Sequence, residues 1–385
     1  MNAGDASSDT VRIIDRCTSL GFALAGVTPL LPTAHEEALR QWIADGKHGE
    51  MGYLAEHLEA RLDPNLVLDG ARSAVIVADL YQTRGEDEAA EGTGDDAARV
   101  PAGRVARYAK GRDYHDTIKR RLRLLCDELR TEYPRAGFRV FSDTAPVLER
   151  ELAARAGIGW TGKHGLVIHP ELGSWMLLGG ILTTLDLEPP AEQRGVDDHC
   201  GTCTRCIDAC PTDAITPRSM DATRCISYLT IEHRSPIDPG FFEAMGDWVA
   251  GCDICQEVCP HNSPRPARDG GGDGVRRLGR GPDRRHPDYE PTLPTLPLID
   301  VIGWTAEYRS RVLRGSALKR IKLDMFRRNA LIAAANEHRS SPDARLLAAI
   351  SSAADDESPL VSRTARDLLR DLGSSLAGPQ PPSPA

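Results

Sequence analysis

Eight of the ten cysteines lie between residues 200 and 259, and their spacing constrains this chain more than any other feature. Cys200, Cys203, Cys206 and Cys210 are followed by Pro211, which is the C-x2-C-x2-C-x3-C-P run of bacterial ferredoxins. In two-cluster proteins with this run, the fourth cysteine ligates the other cluster. The first three cysteines therefore need one distant partner, and Cys210 needs three.

The same region supplies the four missing ligands, namely Cys225, Cys252, Cys255 and Cys259, and Pro260 follows the last of them. By the ferredoxin crossover, Cys259 completes the first [4Fe–4S] cluster with Cys200, Cys203 and Cys206. The other three join Cys210 around the second cluster. Zinc sites built from C-x2-C pairs are the alternative use of such thiolates. The complete run with its proline favours two iron–sulfur clusters.

The two remaining cysteines, Cys17 and Cys126, lie on apolar faces of predicted helices. Free cysteine behaves as a small hydrophobic residue in such positions. We therefore interpret both as core residues rather than ligands.

The bulk composition predicts a soluble protein. Hydrophobic residues make up 41% of the 385 residues and charged residues 27%, and no apolar run reaches eighteen residues. The first ten residues, MNAGDASSDT, lack the features of a secretion signal, so we expect a cytoplasmic protein. Cysteines there rarely form disulfides, which agrees with a metal-binding role. The net charge of −9 disfavours nucleic acid coating the whole surface, but it permits a local basic face.

Hydrophobic periodicity divides the chain into three folded regions. Alternating helix and strand patterns predict an α/β domain first, then the ferredoxin-type domain, then short stacked helices of the HEAT-like kind. Seven arginines and many glycines after the last ligand predict a flexible linker. The predicted boundaries are 1–195 (α/β), 196–262 (two [4Fe–4S] clusters), 263–292 (linker), 293–375 (helical repeats) and 376–385 (disordered tail).

Five sequence blocks carry a specific resemblance: RYAKGRDYHD (107–116), FSDTAPVLERELAARAGIGWTGKHGL (141–166), GSWMLLGG (173–180), CISYLTIEHR (225–234) and GCDICQEVCP (251–260). In order and spacing they resemble the epoxyqueuosine reductase family, over about residues 10–372. The resemblance implies a cobalamin-binding α/β domain, two [4Fe–4S] clusters and helical repeats that help to hold tRNA. The implied reaction is reduction of epoxyqueuosine to queuosine at the wobble position of tRNA anticodons, the last step of queuosine biosynthesis.

Cobalamin and tRNA follow from the resemblance alone. Because the chain has no D-x-H-x-x-G histidine box, the implied cobalamin is base-off, without a protein histidine on cobalt. An external low-potential donor of the flavodoxin or ferredoxin type is the implied source of electrons. The implied corrin contacts are Arg61, Tyr108, Asp143, Val167, Leu178, Ser227 and Asp253.

Asp143 carries two interpretations. From the residues alone, the sequence Asp143-Thr144-Ala145-Pro146 is typical of a helix start, which favours a helix cap. The resemblance matches Asp143 with the family's proposed proton donor. Opening an epoxide produces an alkoxide, so a nearby acid lowers that barrier. One carboxylate can serve both roles.

A basic segment at 314–330, RGSALKRIKLDMFRRNA, holds six basic residues against Asp324. The residues alone allow a solvated helix face, whereas the resemblance favours contact with tRNA phosphates. A second candidate contact lies in the block at 225–234, where His233 stands at a position at which we expect lysine in relatives. The predicted tRNA contacts are His233, Arg234, Arg314, Lys319, Arg320, Arg327 and Arg328.

Two other functions fit the cysteine pattern. A reductive dehalogenase also combines cobalamin with two clusters, but such enzymes typically carry a twin-arginine signal, which this sequence lacks. An electron-transfer iron–sulfur protein without a corrin is the alternative outside enzymes. Extraction of the bound cofactors would distinguish the dehalogenase from the electron-transfer protein, because a pure carrier holds iron and sulfide without cobalt.

Overall fold

The computed structural model describes residues 3–84, 100–264 and 278–376. Its strands are β1 (Leu24–Pro29), β2 (Ser73–Leu80), β3 (Arg104–Val105), β4 (Phe138–Phe141), β5 (Trp160–Thr161), β6 (Val167–Ile168), β7 (Met176–Thr183), β8 (Ile215–Thr216), β9 (Ser219–Met220) and β10 (Trp248–Ala250). Its helices are α1 (Ala3–Ser19), α2 (Glu36–Ala44), α3 (Tyr53–Glu56), α4 (Leu58–Leu62), α5 (Tyr114–Glu132), α6 (Glu149–Arg155), α7 (Arg205–Asp208), α8 (Ile226–Ile231), α9 (Ile254–Glu257), α10 (Leu298–Ile302), α11 (Ala306–Val312), α12 (Leu323–Ser340), α13 (Ala344–Ala353) and α14 (Pro359–Leu376).

A four-stranded sheet organises the N-terminal region, with strand order β1-β2-β7-β4 and every neighbouring pair antiparallel. Helices α1 and α5 pack on one face, and α6 packs on the other. Strand β2 is buried along its whole length because both edges pair and both faces are covered. Strands β2 and β4 are joined through α5 and run parallel on either side of β7, which makes a split βαβ unit.

Two adjacent glycines allow α5 and β4 to approach β7 closely. A Cβ atom at Gly179 would collide with the side chain of Ile118 on α5, and one at Gly180 with the ring of Phe141 on β4. The glycines inside this otherwise apolar strand are therefore required by packing on both of its faces.

The second half of the segment predicted to be a linker is packed against the sheet, so that prediction is wrong for residues 278–292. Backbone bonds join Gly279 and Gly281 to β1, and Tyr289 is only 2% exposed. The Tyr289 hydroxyl donates to Asp79 Oδ2 at 2.7 Å, beside the buried ion pair of Asp79 with Arg121. One aromatic side chain thus anchors a stretch whose composition indicated mobility. Residues 265–277 and 377–385 of the predicted linker and tail lie outside the described residues.

The cysteine-rich and helical regions share one hydrophobic core, formed by α8, β10, α10 and α12 to α14. Helix α12 is central to it and docks on the cysteine-rich region through two buried polar residues. The Asn329 amide donates to the carbonyl oxygens of Thr230 and Val249, at 2.9 and 2.8 Å. Arg328 donates to those of Leu229, His233 and Ser235, each at 2.7 Å. Within the described ranges, no helix is long and apolar enough to cross a membrane.

Candidate active site

The first group of cysteines meets in one pocket. Its lining includes Cys200, Cys203, Cys206 and Cys259, the four that the crossover pairing places together. The indole N–H of Trp160 donates to Cys200 Sγ at 3.4 Å. Burial, and then the neighbouring thiols of this group, raise the pKa of Cys259 to about 11.

The second group consists of Cys210, Cys225, Cys252 and Cys255. These thiols lie near enough to act on one another: burial, and then neighbours that include Cys225 and Cys210, raise the pKa of Cys252 to about 12. Burial and the thiols of Cys252 and Cys225 likewise raise the pKa of Cys255. The backbone N–H of Ala214 donates to Cys210 Sγ at 3.3 Å.

Both groups fit a cationic cluster. Burial and neighbouring thiols keep Cys259, Cys252 and Cys255 protonated, and such thiols become thiolates beside positive charge, which bound metal supplies. Cys17 and Cys126 lie outside both groups, fully buried in the core that α1 and α5 share.

Asp143 follows β4 in a left-handed conformation, with φ of +58°. Its Oδ2 lies 3.1 Å from His115 Nε2 and 3.8 Å from Arg320 Nη1, and its backbone N–H donates to the carboxyl of Glu149. The helix-cap interpretation is wrong, because α6 begins only at Glu149 with Leu148 as its N-cap. The Asp143 side chain therefore faces other charged groups rather than a helix end.

His115 bridges two carboxylates. Its Nδ1 lies 2.7 Å from Asp113 Oδ1, and its Nε2 contacts Asp143. Lys319 Nζ contacts the other oxygen of Asp113 at 2.7 Å. Burial opposes a charge on His115, but the hydrogen bonds with Asp113 and Asp143 outweigh it and raise the pKa of His115 to about 9. His115 is consequently an imidazolium at neutral pH.

The protons of this site are held by His115 and Glu149, which are neighbours of Asp143, and not by Asp143 itself. Burial favours protonation of Asp143, but the hydrogen bond and charge of His115 outweigh burial and lower the Asp143 pKa below its usual value. Burial, followed by the Asp143 charge, raises the pKa of Glu149 to about 8. At neutral pH the set is a carboxylate flanked by an imidazolium and a neutral carboxylic acid. The sequence interpretation missed Asp113, His115 and Glu149, although the first two stand in the block at 107–116.

The residues implied as corrin contacts fall into two sets. Arg61, Tyr108 and Asp143 lie near one another, since the Asp143 charge acts on the pKa of both other groups. Burial, and then Asp143, raise the pKa of Tyr108. Arg61 Nε is buried without a hydrogen-bond partner among the described residues.

The other implied contacts lie on the cluster side or in the core. Asp253 is buried, and its Oδ2 accepts from the Arg107 backbone N–H at 2.7 Å. The Ser227 backbone N–H bonds the thiol of Cys225. Val167 and Leu178 pack in the core beside α6.

The predicted tRNA contacts do not share one surface. Arg328 is 0% exposed and bonds backbone carbonyls, so its prediction as a phosphate contact is wrong. Arg327 is largely buried and pairs with Asp356. His233 is largely buried, with Nε2 3.1 Å from the Pro236 carbonyl oxygen.

Two of the four remaining basic residues lie at the Asp143 site. Lys319 and Arg320 form ion pairs at the site itself, and Arg320 also pairs with Glu232. Arg234 and Arg314 are exposed.

Comparison with known proteins agrees with this arrangement. A family model described as "4Fe-4S double cluster binding domain" matches residues 199–262, and one described as "Epoxyqueuosine reductase QueG, DUF1730" matches residues 61–144. An epoxyqueuosine reductase of Alicycliphilus denitrificans is 37% identical over 359 residues, covering 91% of this chain and 94% of the relative. The chain belongs to the epoxyqueuosine reductase family.

Solved epoxyqueuosine reductases have the same fold. One from Bacillus subtilis, with the loop of a catalytic aspartate swung out of the active site, matches with a TM-score of 0.75 and 25% identity, over 96% of this chain and 94% of that one. Another, bound to an epoxyqueuosine-modified tRNA-Tyr stem loop, matches with a TM-score of 0.74 and 26% identity, over the same shares.

Proposed function

We propose that this protein is an oxidoreductase that reduces epoxyqueuosine in tRNA to queuosine. The observation that carries the proposal is the convergence of three regions of the chain at Asp143. His115 reaches it from the sheet region and Arg320 from the helical region, while Arg320 also holds Glu232 of the cysteine-rich region. Family membership and the relative bound to a modified stem loop support this substrate.

The reaction needs two electrons and two protons. The epoxide oxygen leaves as water, and the two carbons that carried it become an alkene. When bound, the clusters supply single electrons and cobalamin supplies the reducing centre beside the substrate. We assign Cys200, Cys203, Cys206 and Cys259 to one cluster and Cys210, Cys225, Cys252 and Cys255 to the other.

Several residues suit a cobalamin site. The unpartnered Nε of buried Arg61 requires an acceptor, which a polar corrin substituent can provide. Tyr108 and Asp253 complete the polar wall, and Ser227 stands where this wall meets the second cysteine group. Both nitrogens of His115 already bond carboxylates, so this histidine is not free to bind cobalt; base-off binding remains what the family resemblance implies.

Two protons require more than one acid. The Asp143 side chain is more exposed than that of His115, but its carboxylate is ionised at rest. His115 can pass its proton to Asp143 through their 3.1 Å contact as negative charge develops on the epoxide oxygen. Glu149 holds a further proton next to the Asp143 backbone. Asp143 is thus the final donor in a chain of acids rather than a resting acid.

We expect the tRNA backbone to contact three exposed basic residues, Arg234, Arg314 and Lys322, which we call the basic rim. Gly315 accepts from the Asp113 backbone N–H at 2.7 Å, so this part of the segment is held against the acid chain. The α12 to α14 helices, which we interpret as HEAT-like units, support the rim from behind. We expect the reaction in the cytoplasm, with a flavodoxin or ferredoxin as the external reductant.

A nucleoside profile tests the function directly. Cells that lack this protein should accumulate epoxyqueuosine and lose queuosine in their tRNA, and the purified, prereduced protein should convert the isolated tRNA. Unchanged queuosine in such cells, with no conversion in vitro, would contradict the proposal.

A further inference from the structure

One buried histidine shares the pocket of the first cysteine group and has no role in the acid chain. His164 is 2% exposed and lines the pocket together with Cys200, Cys203, Cys206 and Cys259. It stands in the tight turn between β5 and β6, where Gly162 N–H donates to the Leu166 carbonyl oxygen at 2.9 Å. This turn fixes the backbone on both sides of the imidazole.

A backbone contact determines which nitrogen of His164 carries the proton. The Leu166 backbone N–H donates to His164 Nδ1 at 3.2 Å, so Nδ1 is an acceptor and bears no hydrogen. A neutral imidazole then carries its hydrogen on Nε2. That Nε2–H is buried and has no partner among the residues that the structure describes. Buried donors are rarely left without an acceptor, so the pocket must supply one.

We propose that His164 Nε2 donates a hydrogen bond to a sulfur atom of the first [4Fe–4S] cluster and thereby raises the reduction potential of that cluster. The inference goes beyond the proposed function, because it concerns electron storage in the protein whatever its substrate. Reduction adds one electron to the cluster from an external reductant and breaks no bond. The added negative charge strengthens a hydrogen bond to sulfur, so the donor stabilises the reduced form.

The two cysteine groups receive hydrogen bonds from different kinds of donor. The first group already receives the indole N–H of Trp160 on Cys200. Cys210 of the second group receives the backbone N–H of Ala214 and lies near the Thr212 hydroxyl. With His164 added, the first cluster has two aromatic N–H donors, so loss of His164 should lower the potential of that cluster.

An anaerobic redox titration followed by EPR tests the assignment on the intact protein with both clusters. H164L should lower one of the two midpoint potentials and leave the other in place. H164Q should restore much of the loss, because its amide N–H occupies about the position of Nε2. The matched control is H199L: His199 lines the same pocket but is exposed and packs edge to face against Trp160. Unchanged potentials in H164L with full iron content, or an equal shift in H199L, would overturn the proposal.

A measurement on the wild-type sequence covers the case in which H164L loses its clusters. Protein labelled with nitrogen-15 in histidine only should show a nitrogen coupling in the pulsed EPR spectrum of the reduced first cluster. H164Q with the same label should lack that coupling while it keeps the cluster signal. A spectrum without histidine coupling in the wild-type protein refutes the hydrogen bond.

Discussion

Replacing Asp113 by asparagine should move the alkaline limb of the pH–rate profile. Asp113 and Asp143 together hold the His115 pKa at about 9, against 6.5 for the free side chain. Removing the Asp113 charge should lower the His115 pKa by roughly half of this rise. The alkaline limb should therefore move toward lower pH by about one unit or more, where one unit corresponds to about 1.36 kcal/mol. The sign follows from the raised pKa: His115 is charged below the limb and loses its proton as pH rises through it.

The substitution keeps the local fold, which makes the result interpretable. Asp113 is also the N-cap of α5 and accepts from the His115 backbone N–H at 3.1 Å. Asparagine caps helices about as well as aspartate, so α5 should remain intact. The substitution removes the charge next to the imidazole and, with it, the ion pair of Asp113 with Lys319.

Single-turnover reduction of epoxyqueuosine tRNA by prereduced enzyme, measured from pH 6 to pH 10, is the suitable assay. D116N is the matched control, since Asp116 is 80% exposed and does not contact His115. The control should keep the wild-type profile. If D113N keeps it too, His115 does not set the alkaline limb and its role as the proton source is wrong, which leaves Glu149, with its pKa of about 8, to set the limb.

Three further outcomes are expected. D143N should keep its clusters and its cobalamin spectrum but turn over ~10²–10⁴-fold more slowly, because it lacks the final donor; normal turnover would exclude that role. C259S should lose the iron of one cluster, whereas C17S should keep about eight iron atoms per chain, as iron analysis after anaerobic reconstitution will show. Neutralising the basic rim should weaken tRNA binding and flatten its salt dependence by ~0.7–0.9 log units for each phosphate that is no longer neutralised, whereas R363Q on α14 should leave the slope unchanged.

The cysteine groups could be predicted from the sequence because the spacing of the cysteines is enough to identify them. Two intervening residues place neighbouring thiols on one cluster, and the crossover supplies the fourth ligand without reference to the rest of the fold. The pocket that joins Cys259 to Cys200 follows the same rule. The regular helices from α12 onward were predictable for a similar reason, since their apolar residues repeat at helical spacing.

The basic segment shows why the tRNA contacts could not be predicted in the same way. Charge density along the chain identified Arg327 and Arg328, but it carries no information on burial. In the fold, Arg328 meets three carbonyl oxygens at and beyond the end of α8, more than ninety residues earlier in sequence. The helix-cap interpretation of Asp143 was wrong because the residues that start helices also favour turns. The positive φ of Asp143 places it in a loop.

Tyr289 has a consequence for synthesis of the chain. It completes the core of the N-terminal sheet and bonds the buried carboxylate of Asp79, yet it is translated after all eight cluster cysteines. All eight cysteines are therefore synthesised before Tyr289 can complete the core of the N-terminal sheet. A nascent chain halted at residue 264 would hold all four strands of the sheet, but the Asp79–Arg121 pair would lack its third partner. Completion of the N-terminal core therefore follows synthesis of every cluster ligand.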